Sequence, residues 1–282
     1  MEAEVSDCPD NKIVVIKLGG SVLATQESYR SAARFLVRRL HKCFAQRFVV
    51  VVSAQNGQTD ELEGIARRIT KYPSQRVLDL LWSTGELRSV ALLTLHLEKL
   101  GVPAVGLNVH ETGLRLQGVS AEESSGIELS HHLQNAFEGF AVAVVPGFFA
   151  TLMGGTIVSL GRGGSDLSAV LLAEKLQTGQ CELVKDVGGY FSEDPNLSAR
   201  AEHLPFISYE KALEMAARGC ELVQPRAIQA AREAGLRLVI SALGHNAPVS
   251  VVSEDGRRGC GSASINETTA GSLSSASLTA SS

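Results

Sequence analysis

The run of four valines at Val49–Val52, in the segment RFVVVVSAQNG, constrains the fold more than any other feature of the chain. A strand with one face in water alternates apolar and polar residues, whereas a strand buried on both faces is apolar at every position, as this run is. The segments NKIVVIKLGG, FAVAVVPGFF and LRLVIS have a similar β-rich character. The chain is therefore expected to build a sheet that is covered on both faces.

Helical patterns separate these strands. Apolar residues three and four apart predict helices in YRSAARFLVRRLHKCFAQ, in TDELEGIARRIT with a cap at Thr59-Asp60, and in VLDLLWSTGELRSVALLTLHLEKLG with an interruption at Ser83–Gly85. The segment FAVAVVPGFFA is predicted to be a strand that runs into a loop. The second half continues with predicted strands TIVSL, CELVKDV and PVSVVS and predicted helices SDLSAVLLAEKLQ, SYEKALEMAARG and PRAIQAAREAG. This alternation predicts an α/β fold, a three-layer α/β/α sandwich with a largely parallel central sheet.

Composition and charge exclude several classes of protein. The chain has 282 residues and a net charge of −4, and no long basic run, so nucleic acid and anionic membranes are poor partners. Its longest apolar runs fall far short of the roughly 20 residues that a membrane span needs. The five cysteines are scattered and form no C-x-x-C pair, which argues against a disulfide framework or a zinc site and favours a reducing cytoplasm.

The two ends of the chain differ from its middle. Residues 1–11 form an acidic N-terminal extension without the basic start and apolar core of a signal peptide. Residues 261–282 are rich in Ser, Thr and Ala and poor in large apolar residues, which predicts a disordered tail with no catalytic part. A phosphorylated or docking tail is the alternative.

Two glycine-rich turns are the first candidate sites. The turn KLGGS follows a strand, where backbone N–H groups and a helix N-terminus can bind an anion and Lys17 adds a full charge. The alternative is a simple tight turn. The turn SLGRGGSD lies between a strand and a helix, so that Arg162 can grip a carboxylate with two hydrogen bonds while Asp166 orients a lysine or a metal-bound phosphate. The turn KLGGS is neither a Walker nor a dinucleotide motif.

Polar residues at three further places are candidates with plain structural alternatives. Ser53 and Thr59 suit a small polar ligand at the carboxyl end of a strand, or serve as turn and cap residues. The Glu86 carboxylate can accept a hydrogen bond from an ammonium or a hydroxyl, or Glu86 is a solvated glutamate at a helix start. The segment VKDVGGYFSEDPN can wrap an adenine ring with Asp186 near ribose or phosphate, or is an ordinary surface hairpin.

Taken in this order, the motifs resemble those of the amino-acid kinase superfamily and, within it, the aspartate kinases. The resemblance runs from Lys17 to about Ser241 and is carried by KLGGS, VVSAQNGQTDEL, STGELRSVALL and VPGFFA. Its most specific segment is SLGRGGSDLSAVLLAEKL, which matches the family pattern L-G-R-G-G-S-D-x-x-A. The resemblance implies a carbamate-kinase-like fold, with an acceptor-binding lobe at about 12–150 and a nucleotide-binding lobe at about 151–260.

The resemblance also implies a role for each matching residue. Lys17 neutralises the transferring phosphate and Asp166 orients that lysine, so both are catalytic. Arg162 binds the carboxylate of the amino acid and Glu86 its ammonium. The further substrate-binding positions are Ser53, Thr59, Phe148 and Ser165. The nucleotide-binding positions are Gly19, Gly20, Ser21, Gly161, Gly163, Gly164, Lys185, Asp186 and Phe191.

This sequence departs from the family pattern in the segment that faces the nucleotide. Lys185 stands where the family has threonine, and Phe191 where it has tyrosine. Gly188 replaces an aspartate, while Asn196 and Glu221 replace an arginine and a lysine that commonly touch the ATP phosphates. Each lost phosphate contact is expected to cost roughly 1.5–3 kcal/mol, and Lys185 is a candidate to restore one charge.

The function that the resemblance implies is phosphoryl transfer from ATP, with Mg²⁺, to the carboxylate of aspartate or a close analogue. We also expect a homodimer, and a catalytic domain without the small regulatory domains that aspartate kinases usually carry. Two alternatives stay open: a catalytically weak homologue that binds an amino acid or pairs with another subunit, and a kinase with a different acceptor.

Overall fold

The computed structural model describes residues 13–42, 46–117, 126–161, 163–195, 197–198, 200–220, 222–244 and 248–254. The extension predicted for residues 1–11 and the tail predicted for 261–282 lie outside this part of the chain. Within it, no helix is both long and apolar enough to cross a membrane.

The described residues form fourteen strands and eight helices. In chain order they are β1 (Ile13–Leu18), α1 (Gln26–Lys42), β2 (Arg47–Val52), α2 (Gln58–Ile69), α3 (Gln75–Lys99), β3 (Ala104–Gly106), α4 (Val109–Thr112), β4 (Leu114–Gln117), β5 (Gly126–Leu129), α5 (His132–Ala136), β6 (Val142–Pro146), β7 (Phe149–Leu152), β8 (Ile157–Ser159), α6 (Gly164–Lys175), β9 (Gln180–Lys185), β10 (Tyr190–Phe191), β11 (His203–Leu204), β12 (Phe206–Ser208), α7 (Tyr209–Ala217), α8 (Pro225–Glu233), β13 (Arg237–Ala242) and β14 (Ser250–Ser253).

Eight of these strands form the central sheet, in the order β12-β14-β13-β9-β1-β2-β6-β3. Neighbouring strands are parallel except for the pair β13 and β14, which is antiparallel. The valine run lies in β2, between β1 and β6, and is fully buried. The largely parallel sheet predicted from the sequence is therefore confirmed.

Alternate residues of the central strands face opposite helical layers. On β1, Val14, Ile16 and Leu18 belong to a core on the side of α1 and α3, which pack against each other. Val15 belongs to a second core on the side of α6 and α8. Helices therefore cover both faces, which confirms the three-layer sandwich. Lys17 has the parity of Val15, so its side chain faces the α6 layer.

A smaller four-stranded sheet, in the order β5-β4-β7-β8, corrects two details of the sequence reading. The segment after Pro146, predicted to be a loop, forms the strand β7, and the predicted strand TIVSL forms β8 as its antiparallel partner rather than a strand of the central sheet. β8 lies at the edge of this sheet and is only partly buried. A short apolar run predicts a strand but does not show which sheet the strand joins.

Helix α3 runs without a break, so the predicted interruption at Ser83–Gly85 is wrong. The Ser83 hydroxyl donates to the Leu80 carbonyl at 2.8 Å and the Thr84 hydroxyl to the Leu81 carbonyl at 2.7 Å, which satisfies both hydroxyls within the helix. A Cβ at Gly85 would lie 3.2 Å from the Ala54 side chain, so the small residue serves close packing.

Helix α2 begins before the predicted cap. Its cap residue is Gly57, with φ 78°, and no side chain caps it; Thr59 and Asp60 lie within its first turn. The Glu61 N–H donates to the Gly57 carbonyl at 3.0 Å, so a left-handed glycine starts the helix where we expected a threonine.

Candidate active site

Two lysines reach the same point from neighbouring parallel strands. Lys17 lies near the carboxyl end of β1, where it is paired in register with Leu183 of β9. Lys185 follows two residues later on β9 and has the same parity as Leu183, which belongs to the core on the α6 side. Both side chains therefore project from the carboxyl end of the sheet toward α6, the place where open parallel sheets bind ligands.

Asp166, in the first turn of α6, holds both lysines. Its Oδ1 lies 2.8 Å from Lys17 Nζ and its Oδ2 lies 2.7 Å from Lys185 Nζ. Lys17 is 5% exposed and Asp166 3%, so the ion pairs are shielded from water. We call these three residues the two-lysine centre. The predicted Lys17–Asp166 pair is present, and Lys185 joins it.

Burial and charge act in opposite directions on this centre. Burial raises the pKa of Asp166, but Lys17 and Lys185 outweigh it and lower that pKa to about 2. Burial and the neighbouring Lys17 charge lower the pKa of Lys185 to about 8, against the attraction of Asp166. Near neutral pH the centre holds two cations and one anion, so it carries a net positive charge that suits a phosphoryl group.

The second glycine turn fits tightly around this centre. Gly163 has φ 68°, and a Cβ there would lie 1.9 Å from Gln224 Cγ. A Cβ at Gly164 would lie 2.6 Å from Phe148 Cδ2. The Gly164 N–H donates to the Gly161 carbonyl at 2.9 Å, so this amide serves the turn itself. The glycines are therefore required by packing, whatever anion the remaining amides contact.

The first glycine turn lies between β1, β9 and the segment after β2. The Gly19 N–H donates to the Val184 carbonyl at 3.2 Å, so it ties the turn to β9. A Cβ at Gly20 would lie 2.7 Å from the Ala54 carbonyl and 3.8 Å from Ser53 Cβ. The structure thus brings Ser53 next to the turn that follows Lys17. Phosphate contacts of Gly19, Gly20 and Ser21 stay a prediction.

Glu86 is a buried carboxylate on the side of the centre where the acceptor is expected. It is 3% exposed, and its Oε2 has no hydrogen-bond partner in the described part of the chain. Burial raises its pKa to about 8, while a hydrogen bond from the Ala54 backbone and the charge of Lys17 lower it. Lys17 therefore acts electrostatically on Glu86, which links this side to the two-lysine centre.

Phe148 lies beside α6, and Ser165 lies in the first turn of that helix. Phe148 has φ 70°, an uncommon conformation for an aromatic residue, and its N–H donates to the Ser168 hydroxyl at 3.1 Å. A Cβ at the preceding Gly147 would lie 2.8 Å from Ser165 Cβ. The structure brings both predicted residues to the wall next to Asp166. Thr59 lies in the first turn of α2, and no hydrogen bond or ion pair among the described residues joins it to the centre.

A cavity of about 720 Å³ lies on the other side of the centre. The predicted nucleotide residues Asp186 and Phe191 line it, and Asp186 directly follows Lys185 of the centre. The ring of Phe191 makes an edge contact with His203 at 5.3 Å between centroids. A volume of this size suits a nucleotide, because ligand pockets span about 300–1,000 Å³. We call it the nucleotide-side cavity.

Sequence reasoning missed three polar residues that line this cavity. Tyr190 is buried and its hydroxyl has no partner among the described residues, so a bound ligand can satisfy it. Lys211 and Arg218 bring positive charge, each paired with Glu214. Tyr190 lies in the segment VKDVGGYFSEDPN, which the sequence marked for adenine, but no signal singled out its hydroxyl. Lys211 and Arg218 lie in α7 and at its end, where lysines and arginines are common surface residues, so no sequence signal marked them.

Three positions discussed in the sequence lie outside the described residues: Arg162, Asn196 and Glu221. Their predicted roles stay predictions.

Comparison with known proteins identifies the class to which this fold and site belong. The sequence profile of the amino acid kinase family matches residues 12–241, and the chain belongs to this family. The aspartokinase of Thermus thermophilus is 38% identical over 243 residues, which cover 86% of this chain and 59% of that protein. The chain thus spans less than two thirds of this relative.

Solved structures show the same fold. An aspartate kinase from Synechocystis has a TM-score of 0.75 and 32% identity, covering 87% of this chain and 40% of that chain. The E. coli aspartokinase III in complex with aspartate and ADP has a TM-score of 0.71 and 24% identity, covering 86% and 64%. The second likeness is one of fold.

Proposed function

We propose that this chain transfers the γ-phosphoryl group of ATP to a carboxylate of aspartate or a close analogue and so forms an acyl phosphate. The observation that carries this proposal is the two-lysine centre, in which one buried carboxylate holds two ammonium groups at 2.8 and 2.7 Å. The centre adjoins Glu86 on one side and the nucleotide-side cavity on the other. It suits a reaction that brings two anions together.

In the proposed reaction, an oxygen of the acceptor carboxylate forms a bond to the γ-phosphorus. The bond from that phosphorus to the β–γ bridging oxygen breaks, and ADP leaves with the electron pair. Lys17 and Lys185 neutralise the charge on the transferring group, and Asp166 fixes where their ammonium groups lie. Because positioning and charge neutralisation carry such reactions, no covalent intermediate with the protein is needed.

The acceptor side supplies groups for an amino acid. Glu86, with one buried oxygen unpartnered, is suited to accept hydrogen bonds from an ammonium. Arg162, which lies outside the described residues, is our proposed partner for the α-carboxylate. Ser53, Thr59, Phe148 and Ser165 complete the proposed acceptor set.

Asp186 is the residue that we propose for a metal contact. Magnesium binds through one or two carboxylates together with substrate phosphates, and Asp186 presents a carboxylate to the cavity. The described residues contain no group of three His, Cys, Asp or Glu side chains that could hold a metal alone. When bound, Mg²⁺ neutralises charge on the phosphate oxygens.

Named relatives support this proposal. The Thermus and Synechocystis proteins are an aspartokinase and an aspartate kinase, and the E. coli enzyme was crystallised with aspartate and ADP. No feature of the described site specifically favours the alternative of a binding or partner subunit.

The lobe boundaries at 12–150 and 151–260, the homodimer and the cytoplasmic location are further proposals. The free thiols Cys181 and Cys220 are compatible with that location.

Consumption of ATP with and without aspartate tests the function directly. We expect aspartate-dependent release of ADP and an acyl phosphate that hydroxylamine traps as a hydroxamate. Glu86→Ala is expected to raise the KM for aspartate, whereas Gln229→Met, on the exposed face of α8, serves as a control. Binding of aspartate without ADP release or hydroxamate would favour the non-catalytic alternative.

A further inference from the structure

Three buried polar atoms on the acceptor side have no hydrogen-bond partner in the described part of the chain. They are Gln58 Oε1, Trp82 Nε1 and Glu86 Oε2. Native proteins satisfy nearly all buried polar atoms, because an unpartnered one destabilises the fold. Of these three residues only Glu86 has a role in the proposed function, so the other two need an explanation.

The three residues lie where α2 packs against one turn of α3. Trp82 and Glu86 are four residues apart on α3 and therefore lie on the same face of that helix. Gly85 lies beside them, and a Cβ there would be 3.5 Å from Gln58 Cδ and 3.2 Å from the Ala54 side chain. Ala54 also makes the backbone hydrogen bond to Glu86. Gln58 is thus packed against the turn of α3 that carries Glu86.

This contact is joined to the reaction centre on two sides. The charge of Lys17 acts on Glu86. The ring of Trp82 lies 6.2 Å from that of Phe148, centroid to centroid, and the Phe148 N–H donates to Ser168, two residues after Asp166 on α6. Glu86 and Trp82 therefore connect this contact to the two-lysine centre.

The chemistry of the three atoms matches one kind of ligand. The Glu86 carboxylate and the Gln58 carbonyl accept hydrogen bonds, whereas the Trp82 indole N–H only donates. A primary ammonium has three N–H donors and can serve both oxygens at once. An oxygen of the same ligand can accept from the indole. An amino acid carries both groups.

We propose that Gln58 and Trp82 are specificity-determining residues of the acceptor site. Gln58 Oε1 takes a second hydrogen bond from the ammonium that Glu86 binds, and Trp82 Nε1 donates to an oxygen of the same amino acid. The proposal rests on the proposed function for the kind of ligand. It adds two contacts that the family resemblance did not indicate.

The single tryptophan of the chain gives a direct test that needs no turnover. Aspartate, titrated into the full-length protein without ATP, is expected to change the Trp82 fluorescence in a saturable way. Gln58→Met removes the carbonyl acceptor and is expected to weaken this binding about tenfold, whereas Gln58→Glu keeps an acceptor and retains most of it. The surface variant Gln229→Met is the matched control and is expected to bind like the parent.

Trp82→Phe removes the indole N–H and keeps an aromatic ring against Phe148. We expect calorimetry to show aspartate binding weakened about tenfold, ATP binding unchanged within about twofold, and a melting temperature of the free protein no lower than that of the parent. This combination separates a ligand contact from a structural one, since loss of a purely structural group lowers the melting temperature and leaves the affinity for aspartate alone.

Two results would overturn the proposal. One is the absence of any fluorescence response to millimolar aspartate. The other is aspartate affinity within twofold of the parent in both Gln58→Met and Trp82→Phe. If binding is saturable and both variants weaken it while the parent shows no ADP release, the proposal stands and the proposed function fails, so the two are separable.

Discussion

The acceptor side and the nucleotide side of the site hold their charges in different ways. Glu86, Lys17 and Asp166 are buried, Lys185 is mostly buried, and both lysines have a fixed partner in Asp166. On the nucleotide side, the side chains of Lys211 and Arg218 are 48% and 73% exposed and share one glutamate. Buried charges interact strongly and are little affected by salt, whereas exposed ones are screened within about 8–10 Å.

This difference determines which measurements distinguish the acceptor side from the nucleotide side. Glu86, Asp166 and Lys185 have shifted pKa values, so pH is expected to control the chemical step and acceptor binding. The cationic side chains around the cavity, Lys211 and Arg218, are exposed, so salt is expected to control nucleotide binding. Variants that remove the pH dependence of one side or the salt dependence of the other test this difference.

The largest effect is expected from Lys17 and Asp166. Lys17→Ala and Asp166→Asn should each lower kcat by about a thousandfold, because both remove charge stabilisation made in the transition state. ATP affinity, measured by calorimetry, should change much less. Since the two act as a unit, the double variant should be little worse than either single one. Losses that multiply in the double variant would show that the residues act separately.

Lys185 is expected to give the next largest effect. Lys185→Met should lower kcat by about a hundredfold, with the acceptor KM changed less than about threefold. Because burial lowers the pKa of Lys185 to about 8, kcat of the parent should fall as the pH rises through about 8, when the ammonium loses its proton.

The matched control for Lys185 is Lys175→Met, at the end of α6, where Lys175 pairs with Glu174 near the surface. It should keep both kcat and its pH profile. If Lys185→Met retained the fall of kcat above about pH 8, another group would be responsible.

Glu86 is expected to have a smaller effect, on acceptor binding and with the opposite dependence on pH. Its pKa is raised to about 8, so at neutral pH most of the free protein carries a neutral Glu86. The acceptor KM should therefore fall about five- to tenfold between about pH 7 and about pH 8.5, as the carboxylate ionises and can pair with the ammonium. Glu86→Gln should raise the KM and remove this dependence.

The same residue affects stability in a direction that can be checked without substrate. The folded protein binds the Glu86 proton more tightly than the unfolded chain does, so stability is lost as the pH rises from about 4.5 to about 8. Glu86→Gln should therefore raise the melting temperature more at about pH 8.5 than at about pH 6. An equal rise at both values would show that Glu86 stays ionised throughout.

The central sheet could be predicted from local patterns of the sequence, whereas the Lys17–Asp166 pair is implied by the family resemblance. Apolar runs such as Val49–Val52 mark buried strands, and a lysine and a glycine turn at a strand end mark the ligand edge. The contact of Lys185 with Asp166 depends on the register of β9 beside β1, which no local pattern specifies.

Local sequence patterns also gave no sign of two further features, the continuous helix α3 and the unpartnered polar atoms of Tyr190 and Trp82. The continuous α3 depends on two hydroxyls that bond within the helix, although Ser83 and Thr84 beside a glycine look like a break. Tyr190 and Trp82 are ordinary core residues in sequence, and only their unpartnered polar atoms in the folded chain mark them.

The smallest effect is expected from restoring charge on the nucleotide side. Asn196 and Glu221 stand where the family resemblance places an arginine and a lysine near the phosphates. Asn196→Arg combined with Glu221→Lys should tighten ATP binding about three- to tenfold at low salt, measured by calorimetry, because single ion pairs outside a buried site contribute little. The gain should shrink as salt rises, in contrast to the buried centre. Gln229→Lys, which adds a charge on the exposed face of α8, should leave ATP affinity within about twofold. A neutral or harmful double change would mean that Lys185, Lys211 and Arg218 already supply the charge that the phosphates need.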